Sequence, residues 1–201
     1  MDNQYLRRDE TSAKYCNRMT KGITHRFIEN LLTEIRLLVP ETILDVGCGT
    51  GYITNIMANE LKSTIIGCDV NTNRISFANA NFGQEVVLAD VKRLPFKDSS
   101  FDIVVASEII EHIPRVDEVL LEIRRVAKKN AIITVPNEPY FRIANFLRGK
   151  NVRRFGNPPD HVNHYTKRSI KRLLEEYFLN LNVKTNAMFW IIATMGCGVC
   201  E

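Results

Sequence analysis

Apolar and polar residues recur along this chain with two distinct periods. From Thr20 to Leu38, apolar side chains fall at Ile23, Phe27, Leu31, Ile35 and Leu38. Steps of three and four set them on one helical face, and Pro40 stops the helix. Ile43 to Val46 is short, apolar and bounded by Pro40 and glycines, which predicts a buried strand. Helical spacing returns at Ile53, Ile56, Met57 and Leu61. Further strands are predicted at Ser63–Asp69, Glu85–Ala89, Ile103–Ser107 and Ala131–Val135, with helices at Asn73–Asn81 and Val116–Lys129. This alternation predicts an α/β fold: a doubly wound, mostly parallel sheet with helices on both faces.

Beyond Pro136-Asn137 the alternation breaks. Tyr140 to Leu147 reads as a short apolar-rich helix, and residues 148–165 as a long irregular connection. Long connections in compact domains tend to carry function, so 138–165 is expected to be a lid or ligand-binding insert. A helix from Thr166 to Phe178 and strands at Leu179–Phe189 and Trp190–Met195 complete the pattern. The whole of 1–201 is expected to form one domain, with 1–40 as an N-terminal helical cover.

The first strand runs straight into Gly47-Cys48-Gly49-Thr50-Gly51, and a helix follows at once. Bare backbone and a helix N-terminus then lie at the carboxyl end of a strand, where open α/β sheets bind ligands. The spacing selects among ligands. A dinucleotide fingerprint G-x-G-x-x-G counted from Gly47 would need its third glycine at Tyr52. Here the glycines alternate, and Asp45 precedes them by two positions. An acid there suits a ligand with an ammonium group, which S-adenosylmethionine carries and NAD does not. Asp69 ends the second strand, 22 positions after Gly47, where an acid can accept bonds from ribose hydroxyls or simply cap the next helix with Asn71.

The stretch Ile43–Gly51 resembles motif I of the class I S-adenosylmethionine-dependent methyltransferases. The likeness continues in Leu94-Pro-Phe-Lys-Asp-Ser-Ser-Phe-Asp102, similar to that family's loop into strand four, and covers 43 to about 178. It is nearest to the group containing the quinone-biosynthesis O-methyltransferases. The resemblance implies seven strands in the order 3-2-1-4-5-7-6 with strand seven antiparallel. It implies that Asp45, Gly47 and Gly49 surround the methionine end of the cofactor, with Cys48, Gly51 and Ser107 also among the cofactor-binding residues. It further implies Asp69 at the ribose, Asp90 with Val91 at the adenine, and Val70 in contact with the cofactor. Asp102 starts strand four, far from the carboxyl edge, so a structural role is expected for it.

Composition changes this picture little. Hydrophobic content of 45% and charged content of 25% over 201 residues are ordinary for a globular domain. No apolar run approaches membrane-spanning length, and Met1 to Arg8 lacks a signal-peptide core, so a cytoplasmic protein without a transmembrane segment is expected. Of the five cysteines (16, 48, 68, 197, 200), only Cys197 and Cys200 form a C-x-x-C pair, and no second pair completes a zinc set. They read as unligated thiols. Net charge is +4, but its distribution is uneven: residues 148–172 hold eight Lys or Arg against one Asp. That basic stretch suits RNA phosphates or an anionic membrane surface, or is a solvated face. Phe141, Phe146, Phe155 and Tyr165 lie among these cations and could stack bases, meet an isoprenoid tail or pack a lid.

A sulfonium is already a strong methyl donor, so the protein must align an acceptor and exclude water. A hydroxyl acceptor also needs its proton removed by a base or a metal. Candidates at the carboxyl edge are Glu108, Glu111, His112, His161 and His164. Glu108, Glu111 and His112 form E-x-x-E-H, which one helical turn would place on a shared face. With His161, and Asp160 beside it, they make a set that suits Mg²⁺ or Mn²⁺. The constellation resembles both metal-dependent quinone O-methyltransferases and small-RNA 2′-O-methyltransferases, while metal-free relatives use the Glu-His pair as floor or base. His112 is the expected base without metal, because imidazole exchanges protons near neutral pH. The acceptor classes left open are a small molecule, lipid or quinone, and RNA through 148–172; a cofactor-binding protein without catalysis is the third reading. The oligomeric state is not legible.

Overall fold

The computed structural model describes residues 20–198. Cys16 and Cys200 therefore lie outside the described residues, as does the segment before Thr20. Helix α1 (Lys21–Leu38) buries Phe27, Ile28, Leu31, Leu32 and Ile35. The chain then forms β1 (Thr42–Val46), α2 (Tyr52–Glu60), β2 (Thr64–Asp69), α3 (Thr72–Phe82) and β3 (Val86–Leu88). After β4 (Phe101–Ser107) comes a 3₁₀ turn at Ile110–His112, then α4 (Val116–Val126) and β5 (Ala127–Pro136). The insert contributes α5 (Tyr140–Leu147) and a second 3₁₀ turn at Val152–Arg154. Helix α6 (Lys167–Glu175), β6 (Leu179–Asn186) and β7 (Trp190–Gly196) follow.

The seven strands lie in the order β3-β2-β1-β4-β5-β7-β6. β7 is antiparallel to both neighbours, and the remaining pairs are parallel. Period-two alternation splits the strand side chains between two cores. Leu44, Val104, Ile133 and Ala193 join a layer with α4 and α6, in which Leu120, Ile123, Ile170 and Leu174 are buried. Ile43, Ile103, Ile132 and Ile192 join the opposite layer with α1 and α2, around Phe27, Leu31, Ile53 and Met57. Each of the larger side chains, fully buried, contributes about 2 kcal/mol relative to exposure. The strand order reverses direction between β1 and β4, and the glycine turn leaves β1 at that switch point.

Several boundaries differ from the sequence reading. Helix α4 stops at Val126 rather than running to Lys129, and β5 begins at Ala127. The apolar stripe ends at Val126, and Arg125 is drawn into the 94–98 loop by Glu122, Asp98 and the carbonyls of Leu94 and Phe96. Ala127 then pairs with Phe101 across a bulge. Strand β6 ends at Asn186, because Ala187 and Met188 take positive φ and turn the chain into β7.

Asp102 has the structural role expected of it. Its carboxylate accepts from the backbone N–H groups of Glu41 and Thr42 and lies 2.9 Å from the Lys129 ammonium. Lys129 and these N–H groups hold its pKa at about 2, below the ordinary 3.8. A depressed carboxylate stabilises the fold fully above the unfolded value and loses that contribution as pH falls through the folded one. The stability difference between wild type and Asp102→Asn is therefore expected to be constant at neutral pH and to shrink between about pH 4 and pH 2, read by denaturant titration.

Candidate active site

The glycine turn is built for close approach. Gly47 takes φ 69, and a Cβ there would run into the Ile109 side chain from the segment after β4. Only glycine permits both the left-handed backbone and that contact. The turn is closed by Cys48 N–H donating to the Cys68 carbonyl and Gly51 N–H donating to the Cys48 carbonyl. Asp69 is buried at the end of β2, and its carboxylate accepts from Gly49 N–H (3.0 Å) and Asn71 N–H (2.8 Å). Asp69 thus braces the turn, and Asn71 rather than Asp69 is the residue that caps α3. Val70, next in the chain, is exposed.

Asp45 is buried beneath the turn and accepts from the Thr54 hydroxyl at 2.6 Å. Burial raises its pKa to about 7, with Asp69 adding to the rise and the Thr54 bond opposing it. A carboxyl so poised gains from a cation placed against it. Thr54, which the sequence reading did not single out, is the residue that orients it. Asp90 is exposed, and its carboxylate accepts from Lys92 N–H. The Val91 side chain is buried in the α4/α6 core, so only its backbone is available to a ligand. Ser107 shares a hydrogen bond with the Thr134 hydroxyl (2.9 Å) at the end of β4. A bare glycine cradle, an ammonium-suited acid and a ribose-suited acid all fit S-adenosylmethionine.

The E-x-x-E-H segment does not form the single helical face expected of it. Glu108 precedes the 3₁₀ turn and takes φ 58, a costly conformation for a residue with a side chain. Its carboxylate accepts from the Trp190 indole N–H at 2.8 Å. Glu111 and His112 lie on the turn itself, and Glu111 is buried. The carboxylate of Glu111 and ring nitrogens of His112 and His161 come within 4.8 Å of one another. Glu108 is outside that group, which corrects the four-residue metal set read from the sequence. The reason is tertiary: β7 brings Trp190 to the same sheet edge and takes the Glu108 carboxylate.

His112 is held from the insert. Its Nδ1 lies 3.0 Å from the Asp160 carbonyl and 3.3 Å from the Asp160 carboxylate, and its Nε2 lies 3.9 Å from Glu111. With Nδ1–H donating to Asp160, Nε2 is the nitrogen left to accept a proton. The His112 ring meets His161 edge to face at 4.9 Å; Phe141 stacks on His161 at 5.8 Å, and Trp190 meets Phe141 at 6.1 Å. Asn163 ties the insert down: its side chain donates to the carbonyls of Ile110 and Ile113, and its N–H with that of Val162 donates to the backbone carbonyl of Glu111. His164 stands apart, bonded to Asn157. Glu138, which the sequence reading also missed, is buried just past β5, and burial raises its pKa.

Residues 44–135 match the family model described as a methyltransferase domain. Over those residues the chain carries a methyltransferase domain. A methyltransferase of Encephalitozoon cuniculi is 34% identical over 60% of this chain and 54% of its own length. The demethylmenaquinone methyltransferase of Lactobacillus johnsonii is 30% identical over 68% of this chain and 66% of its own. The chain thus spans about half to two-thirds of the length of these curated relatives. An S-adenosylmethionine-dependent methyltransferase of Aquifex aeolicus shares the fold, with a TM-score of 0.70 at 18% identity over 94% of this chain and 99% of that one. Among the described residues, no helix is long and apolar enough to cross a membrane.

Proposed function

We propose that this methyltransferase acts on an oxygen of a small-molecule or quinone-like acceptor, with His112 as the base. The observation that carries this reading is the His112 ring, fixed through Nδ1 by the Asp160 carbonyl and flanked at Nε2 by Glu111. When bound, S-adenosylmethionine supplies a methyl group already activated on a sulfonium. Asp45 with Gly47, Cys48, Gly49 and Gly51 would hold its methionine end, Asp69 and Val70 the ribose, Asp90 and the Val91 backbone the adenine, and Ser107 the floor between. His112 Nε2 would take the acceptor proton, and the Glu111 carboxylate would stabilise the resulting imidazolium. Glu108, oriented by Trp190, would position the acceptor. The quinone class rests on the name of the Lactobacillus relative and on the aromatic wall of Phe141, Trp190 and His161. Residues 138–165 would serve as the lid or acceptor-binding insert, excluding water.

A second reading, methylation of an RNA 2′-hydroxyl with Mg²⁺ or Mn²⁺, is favoured by the convergence of Glu111, His112 and His161 within 4.8 Å. One carboxylate and two imidazoles fit a first-row divalent ion, and the basic residues of 148–172 would meet phosphates. Methyl transfer from labelled cofactor to a panel of hydroquinones and RNA oligonucleotides, with EDTA and then with Mg²⁺ or Mn²⁺ restored, separates the two. EDTA-insensitive methylation of a phenolic oxygen is expected. Turnover confined to RNA and abolished by EDTA would replace the first reading with the second. Cofactor binding without turnover on any acceptor would favour a non-catalytic binder.

A further inference from the structure

Helix α5 turns a different face outward from the one that reaches the site. Phe141 points to Trp190 and His161, whereas Tyr140, Ile143, Phe146 and Leu147 are exposed, Leu147 by 78%. Phe155, 74% exposed, stacks on Phe146 at 6.3 Å, so the apolar surface continues off the helix onto the following turn with Val152. Soluble surfaces seldom leave so many large apolar side chains together. The unit is firmly built. Asn145 is buried, donates to the Gly156 carbonyl and accepts from Lys150 N–H through its own carbonyl, bolting the 150–156 turn to α5.

The rim of this surface is of one sign. Arg148, Lys150, Arg153 and Arg154 are all exposed, and among the described residues no carboxylate forms an ion pair with any of them. We propose that the outer face of α5 and the 150–156 turn docks on an anionic lipid bilayer, with the apolar side chains entering the headgroup boundary and the four cations meeting lipid phosphates. Charge complementarity selects the partner. A nucleic acid would engage the cations and the aromatic rings but would leave Ile143, Leu147 and Val152 without a role. A bilayer engages both sets, which is how amphipathic interfacial helices bind. The proposal is independent of the acceptor, because it concerns docking and not turnover.

Co-sedimentation of the full chain with phosphatidylcholine vesicles, with and without phosphatidylglycerol, tests it. Binding is expected only to the anionic vesicles and should weaken with added salt. Arg153→Gln with Arg154→Gln should lower the partition coefficient roughly fivefold for each charge removed. Leu147→Asp, on the fully exposed side of α5, should lower it at least as much while the melting temperature stays unchanged. Three results would overturn the proposal: no binding to anionic vesicles at low salt, vesicle binding indifferent to Leu147→Asp, or Leu147-dependent self-association of the chain in place of vesicle binding. Tight RNA binding that needs the arginines but tolerates Leu147→Asp, without vesicle binding, would assign the surface to nucleic acid instead.

Discussion

Replacing His112 by alanine is expected to lower turnover by about 10²–10⁴-fold, the range ascribed to a positioned acid–base group, with cofactor affinity unchanged. The separation of effects follows from position. His112 sits on the 3₁₀ turn after β4, held by Asp160 and facing Glu111, and has no bond to the glycine turn or to Asp69. Single-turnover rates measure the chemistry, and calorimetry measures cofactor binding. Added imidazole should restore part of the rate in His112→Ala if the missing group is a base, since it can occupy the vacated volume. Full activity in the variant would remove His112 from the mechanism. Because the ring also packs edge to face on His161, a circular dichroism melt should accompany the kinetics.

The second large effect is expected at Asp69. Alanine there should weaken S-adenosylmethionine binding by about 10²-fold, because hydrogen bonds to an ionised group are worth about 1.5–3 kcal/mol each. Two consequences combine. The carboxylate that would meet the ribose is lost, and so is the acceptor for Gly49 N–H and Asn71 N–H. The glycine turn then loses its brace, so entropy that the native fold has already surrendered must be given up on binding. Asp69→Asn separates the two. Its amide oxygen can still accept from Gly49, so the turn should hold while the charge is gone, and the loss should be smaller. Affinity equal to wild type in a folded Asp69→Ala would remove the ribose assignment.

Most elements between Ile43 and Val135 were legible because each obeys one period, and several are bounded by a glycine, proline or capping residue. Asn71 capping α3 and Asp102 at the foot of β4 were readable as local chemistry. The end of α4 was not, because Lys129 continues a helical sequence comfortably and is pulled into β5 by pairing and by Asp102, both distant in sequence. The site divides in the same way. The turn Gly47–Gly51 and Asp69 are 20 or so residues apart and linked by one βα unit, so spacing alone brought them together. The reading of Glu108, Glu111 and His112 as one face failed, since it assumed one helical turn through all three, and Glu108 lies before the turn with positive φ.

What the sequence by itself determined is therefore the sheet's first half and the glycine turn at its carboxyl edge. Those follow from short-range periodicity and backbone geometry, which are properties of neighbouring residues. Only the tertiary structure decided how the segment from Glu108 to His112 is held. Trp190 takes Glu108 across 82 positions, Asp160 fixes His112 across 48, and Asn163 clamps the 3₁₀ turn from 50 positions and more away. These partners are polar side chains chosen by strand order and by the path of the insert. No local pattern encodes them, because a hydrogen bond between distant segments leaves no period in the chain.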